Sequence, residues 1–412
     1  MQSSKLIPRI ARPGRSRWLC LAIALLIVGG PGCRDASSDP SAAIPGPLHL
    51  VIDAGSSGTR LCLFPIRNQC EQSGDADPDS AQCRCQAPAA SDDLLPGTGE
   101  PNCTPIPGAP GLADLAPEAA ARTLSAGLAA RLTPQLASEI RGIALLGTGG
   151  FRAIAPDRQR EVLAALRTEL RKIGDAANSA PENANAPDEP TKPPVTIEIL
   201  SGPDEGRLAW MALRELENSP THAILETGGA SVQFASGRSD NVLQAVSLPL
   251  GMNQAFDRLA DEADLPRCFP FGAPDAVTDF DACRALISRK IFSGADAAAL
   301  RTAADAVKPG PETLYGLGSS WKAIFQGMDQ SRITLSELER FGRTVCSDRK
   351  LTPQERDGKF VQRRCYLYAF QAALLQQTGY ESIRRGRESW PRGAAVSEKL
   401  FPACGPALRP AQ

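Results

Sequence analysis

Histidine is almost missing from this chain of 412 residues, which has only His49 and His222. Both stand in strand-like apolar runs, so no zinc site is expected. Net charge is missing too, with 45 Lys plus Arg against 46 Asp plus Glu. A global field that would gather nucleic acid is therefore not indicated, and no nucleic-acid partner is expected. Long apolar runs are scarce near the start: Trp18 to Val28 is too short for a comfortable membrane span.

What surrounds that short run is informative. Lys5, Arg9, Arg12, Arg15 and Arg17 precede it, and Gly29-Gly30-Pro31-Gly32-Cys33 follows. A basic segment, a short apolar segment and a small-residue end predict a signal peptide over residues 1–33. Cys33 after Gly32 resembles a bacterial lipoprotein cleavage site, with Gly30 where Leu is usual. The expectation is an exported protein of the cell envelope, periplasm-facing or at the surface, tied to the membrane by a lipid on Cys33. Simple secretion and an uncleaved anchor are the alternatives. Residues 34–46 are small and Pro-rich, a linker. Of the twelve cysteines, Cys20 and Cys33 fall in the first 33 residues, which leaves ten. In an oxidising compartment these are expected to form bridges rather than metal sites. Neighbours such as Cys268 with Cys283 and Cys346 with Cys365 are plausible pairs, though connectivity does not follow from sequence.

The chemistry starts at Val51-Ile52-Asp53-Ala54-Gly55-Ser56-Ser57-Gly58-Thr59-Arg60-Leu61. An apolar run delivers one carboxylate, Asp53, into a Gly/Ser turn, and a second apolar run leaves. This reads as strand, tight turn, strand. Such a turn lets backbone N–H groups approach an anion, and a carboxylate beside it can hold a hydrated divalent cation against a phosphate. The plain alternative is an ordinary hairpin. Ala223 to Phe234 repeats the design, with Glu226 as the acid and Thr227-Gly228-Gly229-Ala230-Ser231 as the turn. Two such hairpins suggest two similar lobes that share a cleft.

These stretches resemble the first and fourth apyrase motifs of the nucleoside triphosphate diphosphohydrolases, members of the actin and sugar-kinase superfamily. "LGTGGFRAI" is similar to the second motif, "ILSGPDEGRLAWMAL" to the third and "ESWPRGAAV" to the fifth, all in family order from about residue 48 to 400. The resemblance implies an α/β fold of two actin-like (ribonuclease-H-like) lobes with the active site in the cleft between them. Lobe I is expected over 47–199 plus about 386–412, and lobe II over 200–385.

The resemblance also implies roles. Glu205 matches the Glu that activates water, and Ser231 and Gln233 match residues that position that water, with Thr148 close to it. Asp53 and Glu226 match the acids that hold Mg²⁺ or Ca²⁺, largely through water. The family pattern has Asp where this chain has Glu226, one methylene longer. Gly55, Ser56, Ser57, Gly58 and Thr59 are expected to cradle the terminal phosphate on one side. Gly228, Gly229, Ala230 and Ser231 would do so on the other, with Arg152 as a phosphate contact or a loop-supporting ion pair. Gly58 replaces a His that cell-surface members often carry. Trp210 and Trp390 are expected in the core.

The implied activity is divalent-cation-dependent release of terminal phosphate from nucleoside tri- or diphosphates. One rival is an exopolyphosphatase or guanosine-pentaphosphate phosphatase, to which "SLPLG" at 247–251 is similar. Another is a non-catalytic nucleotide-binding envelope lipoprotein, for which Glu226 and Pro203 leave room. Elsewhere the pattern predicts a disulfide-stapled excursion over 67–111, a disordered loop over 175–194 and an amphipathic helix from Arg364 to Gln377.

Overall fold

The structure is a computed structural model. It describes residues 47–55, 58–71, 82–87, 103–106, 111–177, 193–217, 221–238, 241–269, 278–307, 313–347, 363–387, 389–397 and 399–401. The expected signal peptide, Cys33 and linker lie outside the described residues, as do Ser56, Ser57 and most of the 175–194 loop.

β1 (Leu48–Ala54) is buried along its whole length. Its side chains alternate between two cores, as a period of two requires. Leu48, Leu50 and Ile52 enter one, and Val51 enters the other. β1 pairs antiparallel with β2 (Thr59–Pro65) and parallel with β6 (Ile140–Gly147). β7 (Val195–Ile199) and β5 (Cys103–Pro105) complete a sheet in the order β5-β2-β1-β6-β7.

The second sheet repeats this arrangement. β8 (Thr221–Thr227) pairs antiparallel with β9 (Val232–Arg238) and parallel with β11 (Thr313–Leu317). β10 (Asn241–Leu248), β13 (Ser382–Arg385) and β12 (Arg332–Thr334) extend it to the order β10-β9-β8-β11-β13-β12. Register makes the repeat explicit. Asp53 lies opposite Arg60 and Leu146, and Glu226 lies opposite Gln233 and Leu317. Each acid is one residue short of the end of its strand.

Helices cover the outer faces. α1 (Pro117–Ala129), α2 (Pro134–Glu139) and α4 (Pro156–Ala177) serve the first sheet, and α3 (Gly149–Ala153) follows β6 directly. α6 (Met252–Arg258), α7 (Phe280–Lys290), α8 (Ala295–Val307), α9 (Ser319–Met328), α10 (Leu335–Ser347) and α11 (Arg364–Thr378) build the second core.

Two further helices bind the halves together. α5 (Gly202–Glu217) packs on β8, β9 and β10, and also on α12 (Trp390–Ala395), which rests on β1 and β2. Trp210 and Trp390 are buried in this shared core. Gly393 allows the approach: a Cβ there would lie 1.9 Å from the Leu208 carbonyl oxygen. Both histidines are structural. His49 bonds the Ala395 carbonyl through Nδ1 at 2.7 Å and stacks on Phe401, and burial pushes its pKa down to about 4. His222 stacks on Trp210, whose indole N–H donates to the His222 carbonyl.

One expectation is extended and one corrected. A disulfide does staple the 67–111 segment, which also contains strands: β3 (Arg67–Glu71) and β4 (Gln82–Gln86) form a hairpin, and β5 joins the main sheet. The Cys62–Cys103 disulfide staples β5 to β2, a long-range pairing that no local period announces. α11 is buried on nearly all sides rather than amphipathic, because helices surround it. The Cys268–Cys283 and Cys346–Cys365 bridges are present.

Gly393→Ala is expected to push α5 and α12 apart and cost about 1–3 kcal/mol, lowering the thermal unfolding midpoint by several degrees. An unchanged midpoint would contradict the close approach.

Candidate active site

Both Gly/Ser turns close in the same way. The Gly55 N–H donates to the Gly58 carbonyl at 3.1 Å, and the Gly228 N–H to the Ser231 carbonyl at 3.0 Å. Gly58 has φ +152°, a conformation that a side chain would resist. The second loop turns its carbonyls away from the cleft: Gly228 and Gly229 accept from the N–H groups of Met252, Asn253 and Gln254. Gly251 makes this docking possible, since a Cβ there would lie 2.3 Å from Ser231 N. The two halves meet at Gly149, whose Cβ position lies 2.8 Å from the Ala230 Cβ and 3.3 Å from Ser231 Oγ.

Glu205 is expected in the loop before the helix, but it stands in the first turn of α5. Ser201 starts the helix early. Its Oγ accepts from the Asp204 N–H at 3.2 Å, and its carbonyl accepts from the Glu205 N–H at 3.0 Å. Arg152 reaches across from α3 and donates two bonds of 3.0 Å to Glu205 Oε2 and one of 3.1 Å to Ser231 Oγ. Gln233 donates to Ser231 Oγ at 2.7 Å and to Glu205 Oε2 at 3.2 Å. Glu205, Ser231, Gln233 and Arg152 thus form one connected group, and Arg152 holds the carboxylate. Thr148 is buried beside it at the end of β6, its N–H on the Ala54 carbonyl.

Asp53 pairs with Arg60, its register partner, through Nε at 2.9 Å and a terminal nitrogen at 2.5 Å. Glu226 is buried, and its Oε2 has no hydrogen-bond partner. The Ser389 hydroxyl donates to the same carboxyl group. Burial, opposed by Arg152, pushes the Glu205 pKa up to about 7. Burial, reinforced by the charges of Glu205 and Asp53, pushes Glu226 up to about 8. The three acids therefore sense one another. An orphaned carboxylate oxygen among buried acids fits a hard divalent cation. Among the described residues, no three acid, His or Cys side chains close on one point, so a cation here would keep much of its own water.

Two openings border the partners of this cluster. One, of about 630 Å³, is lined by Arg152 and Ser231, the partners of Glu205. The other, of about 110 Å³, is lined by Arg60, the partner of Asp53, and by Ser389, with Lys322, Arg385, Arg387 and Arg392. The two share no lining residue.

Some of the supporting residues carry no motif signal. Gln371 and Ser320 are of this kind, and with Thr227 they form a buried ring on the second sheet. Gln371 donates to Ser320 Oγ (2.9 Å), Ser320 to the Thr227 carbonyl (3.3 Å) and Thr227 Oγ1 to Gln371 Oε1 (3.4 Å). The ring fixes the residue after Glu226. Only the odd polar residue in the apolar α11 sequence hinted at it.

Residues 190–266 match the model of the Ppx/GppA phosphatase family. The chain is 14% identical to the Aquifex aeolicus member of that family in a crystal structure, covering 86% of this chain and 98% of that one with a TM-score of 0.50. It is also 14% identical to nucleoside triphosphate hydrolases from Neospora caninum, covering 86% and 93% with a TM-score of 0.51. The chain shares the two-lobed, actin-like α/β fold of these structures. Its curated relatives include a "Probable guanosine-diphosphatase" of Aspergillus fumigatus, 26% identical over 196 residues (45% of this chain, 33% of that one). Another is "Probable apyrase 2" of Oryza sativa subsp. japonica, 26% identical over 231 residues (52% and 41%). The alignments thus span less than half the length of these curated relatives. The resemblance to nucleoside phosphatases, and the two-lobed α/β actin-like architecture, are borne out.

Two outcomes are expected. Glu205 and Glu226 have pKa values raised above their ordinary 4.5. Each therefore contributes stability that is fully present below about pH 4.5 and is lost as pH rises through about 7 to 8. In EDTA the unfolding midpoint should fall between about pH 5 and pH 9, and Mg²⁺ or Ca²⁺ should restore it at the alkaline end. A midpoint that rises in EDTA would refute the burial of these carboxyls. Gln371→Leu should cost about 1–3 kcal/mol in denaturant titration, because it leaves Ser320 and Thr227 with buried unmet hydrogen bonds.

Proposed function

We propose that this protein hydrolyses the terminal phosphoanhydride bond of nucleoside tri- or diphosphates with a divalent cation. The observation that carries the reading is that Glu205, Asp53 and Glu226 lie near enough to sense one another's charge, beside two glycine-closed hairpins. The backbone N–H groups of Gly58 and Thr59 on one side, and of Gly229 to Ser231 on the other, would bind the phosphoryl oxygens, while those of Gly55 and Gly228 close the turns. Ser56 and Ser57 belong to the first of these loops by sequence. Asp53 and Glu226 would hold Mg²⁺ or Ca²⁺ through water. The cation would supply charge against the phosphate.

The remaining work falls to side chains. Gln233 and Ser231 orient a water at Glu205, with Thr148 beside them. Glu205 takes its proton as the oxygen attacks phosphorus. A pKa near 7 suits that task, since the base is then ionised in a useful fraction at neutral pH and still accepts a proton. Arg152 keeps the carboxylate aimed and compensates its charge. In-line displacement puts the leaving group opposite the nucleophile. The basic opening lined by Arg60, Lys322, Arg385 and Arg387 shares no wall with the larger one, and its cations suit a departing phosphate.

Exopolyphosphatase activity is the second reading, favoured by the family match over 190–266. We also propose that the protein is exported and held at the membrane by a lipid on Cys33, on the basis of residues 1–33; metabolic labelling with a fatty acid, lost in Cys33→Ala, tests it.

Phosphate release from nucleoside tri- and diphosphates and from polyphosphate, with Mg²⁺ or Ca²⁺ and with EDTA, tests the activity. Metal-dependent release from nucleotides is expected, lowered about 10²–10⁴-fold in Glu205→Gln. Turnover of polyphosphate alone would favour the second reading. Nucleotide binding without release would mean a binding protein.

A further inference from the structure

The opening on the Glu205 side is far larger than its proposed task requires. A water occupies roughly 30 Å³, whereas this opening measures about 630 Å³, within the range of small-molecule sites. Polar side chains stand among walls of glycine, alanine and proline. Ser247 and Pro203 border it near Glu205, and Asn253 and Asp257 border it from α6. Asn253 and Asp257 are four residues apart on one helix, so they share a face. That helix is tied to the phosphate loop by the N–H groups of Asn253 and Gln254 on the Gly229 carbonyl, at 2.9 and 3.2 Å. Whatever the α6 side chains bind is therefore held at a set distance from the reacting phosphate. Among the described residues, no aromatic ring lines the opening, so a nucleobase would find nothing to stack on. A carboxylate beside an amide suits vicinal hydroxyls, and Arg363 donates to the Asn253 amide oxygen at 3.4 Å.

We propose that this opening is an acceptor site for a small neutral polyol, and that the protein transfers the terminal phosphoryl group to such an alcohol as well as to water. The inference rests on the phosphohydrolase reading above. The step is that of hydrolysis with another nucleophile. The acceptor O–H gives its proton to the Glu205 carboxylate, and its oxygen bonds to the terminal phosphorus. The bond from phosphorus to the bridging oxygen breaks, and that electron pair leaves with the remaining phosphate. The product is a phosphate monoester instead of inorganic phosphate.

The test follows the products from a hydrolysed nucleotide by ³¹P NMR, with Mg²⁺ and with glycerol or a hexose as acceptor. An alcohol that merely replaces bulk water yields ester near its mole ratio to water. A bound acceptor should exceed that ratio by about tenfold or more, through its raised effective concentration. Asp257→Ala should lower the ester-to-phosphate ratio about fivefold, the loss of one charge-assisted hydrogen bond, and Asp257→Trp should lower it further by filling the opening. Phosphate as sole product, ester at the mole ratio, or a ratio unchanged in Asp257→Trp would each overturn the acceptor site while leaving the hydrolase intact. Neither product from any phosphoanhydride would overturn both.

Discussion

Three buried carboxyl groups near one another are the constraint on which the rest of this structure turns. Removing a carboxylate from water costs several kcal/mol even after relaxation, and each further like charge adds to that cost. The chain meets the cost locally. Arg60 neutralises Asp53 from the paired strand, Arg152 neutralises Glu205 from the opposite half, and Ser389 donates to Glu226. What remains unmet is one oxygen of Glu226, the place where an added positive charge would gain most. Burial thus makes these groups costly for the free fold and, on our proposal, effective as a base and as cation ligands.

The scaffold serves this cluster by repetition. Two hairpins of equal register deliver Asp53 and Glu226 to corresponding strand ends, and a parallel neighbour flanks each. Glu205 arrives from neither hairpin. It comes from the first turn of α5, which lies between the two sheets and is held there by the Gly393 approach. The base therefore depends on packing between the halves, and the proposed phosphate loops depend on hydrogen bonds within each half. Movement of one half against the other would alter the first and spare the second, an arrangement suited to lobe closure that positions a base.

How much of this was legible before the structure depends on the range of the interaction. The hairpins, the strand-to-turn placements of Thr148 and Ser319, and the helices after them follow from local period and from Gly and Ser. The bridges Cys268–Cys283 and Cys346–Cys365 were plausible as neighbours, but the fold decided their pairing. β5 was not legible, because three residues in an apparently irregular segment became a strand only by pairing with β2. α11 looked amphipathic because Gln371, Gln376 and Gln377 are polar, yet Gln371 is buried with Ser320 and Thr227 as partners.

The sequence by itself determined the turns, the alternation of strands and helices, and the identity of the acids and hydroxyls at the cleft. These depend on backbone freedom and side-chain period within a few residues. Only the tertiary structure decided which charges face one another. Arg152 meets Glu205 across 53 positions and Ser231 across 79, and Ser389 reaches Glu226 from the far end of the chain. It also decided that Glu205 and Glu226 hold their protons toward neutral pH. A pKa is set by the dielectric and charges around a group, and these are supplied by residues that the chain brings near only when it folds.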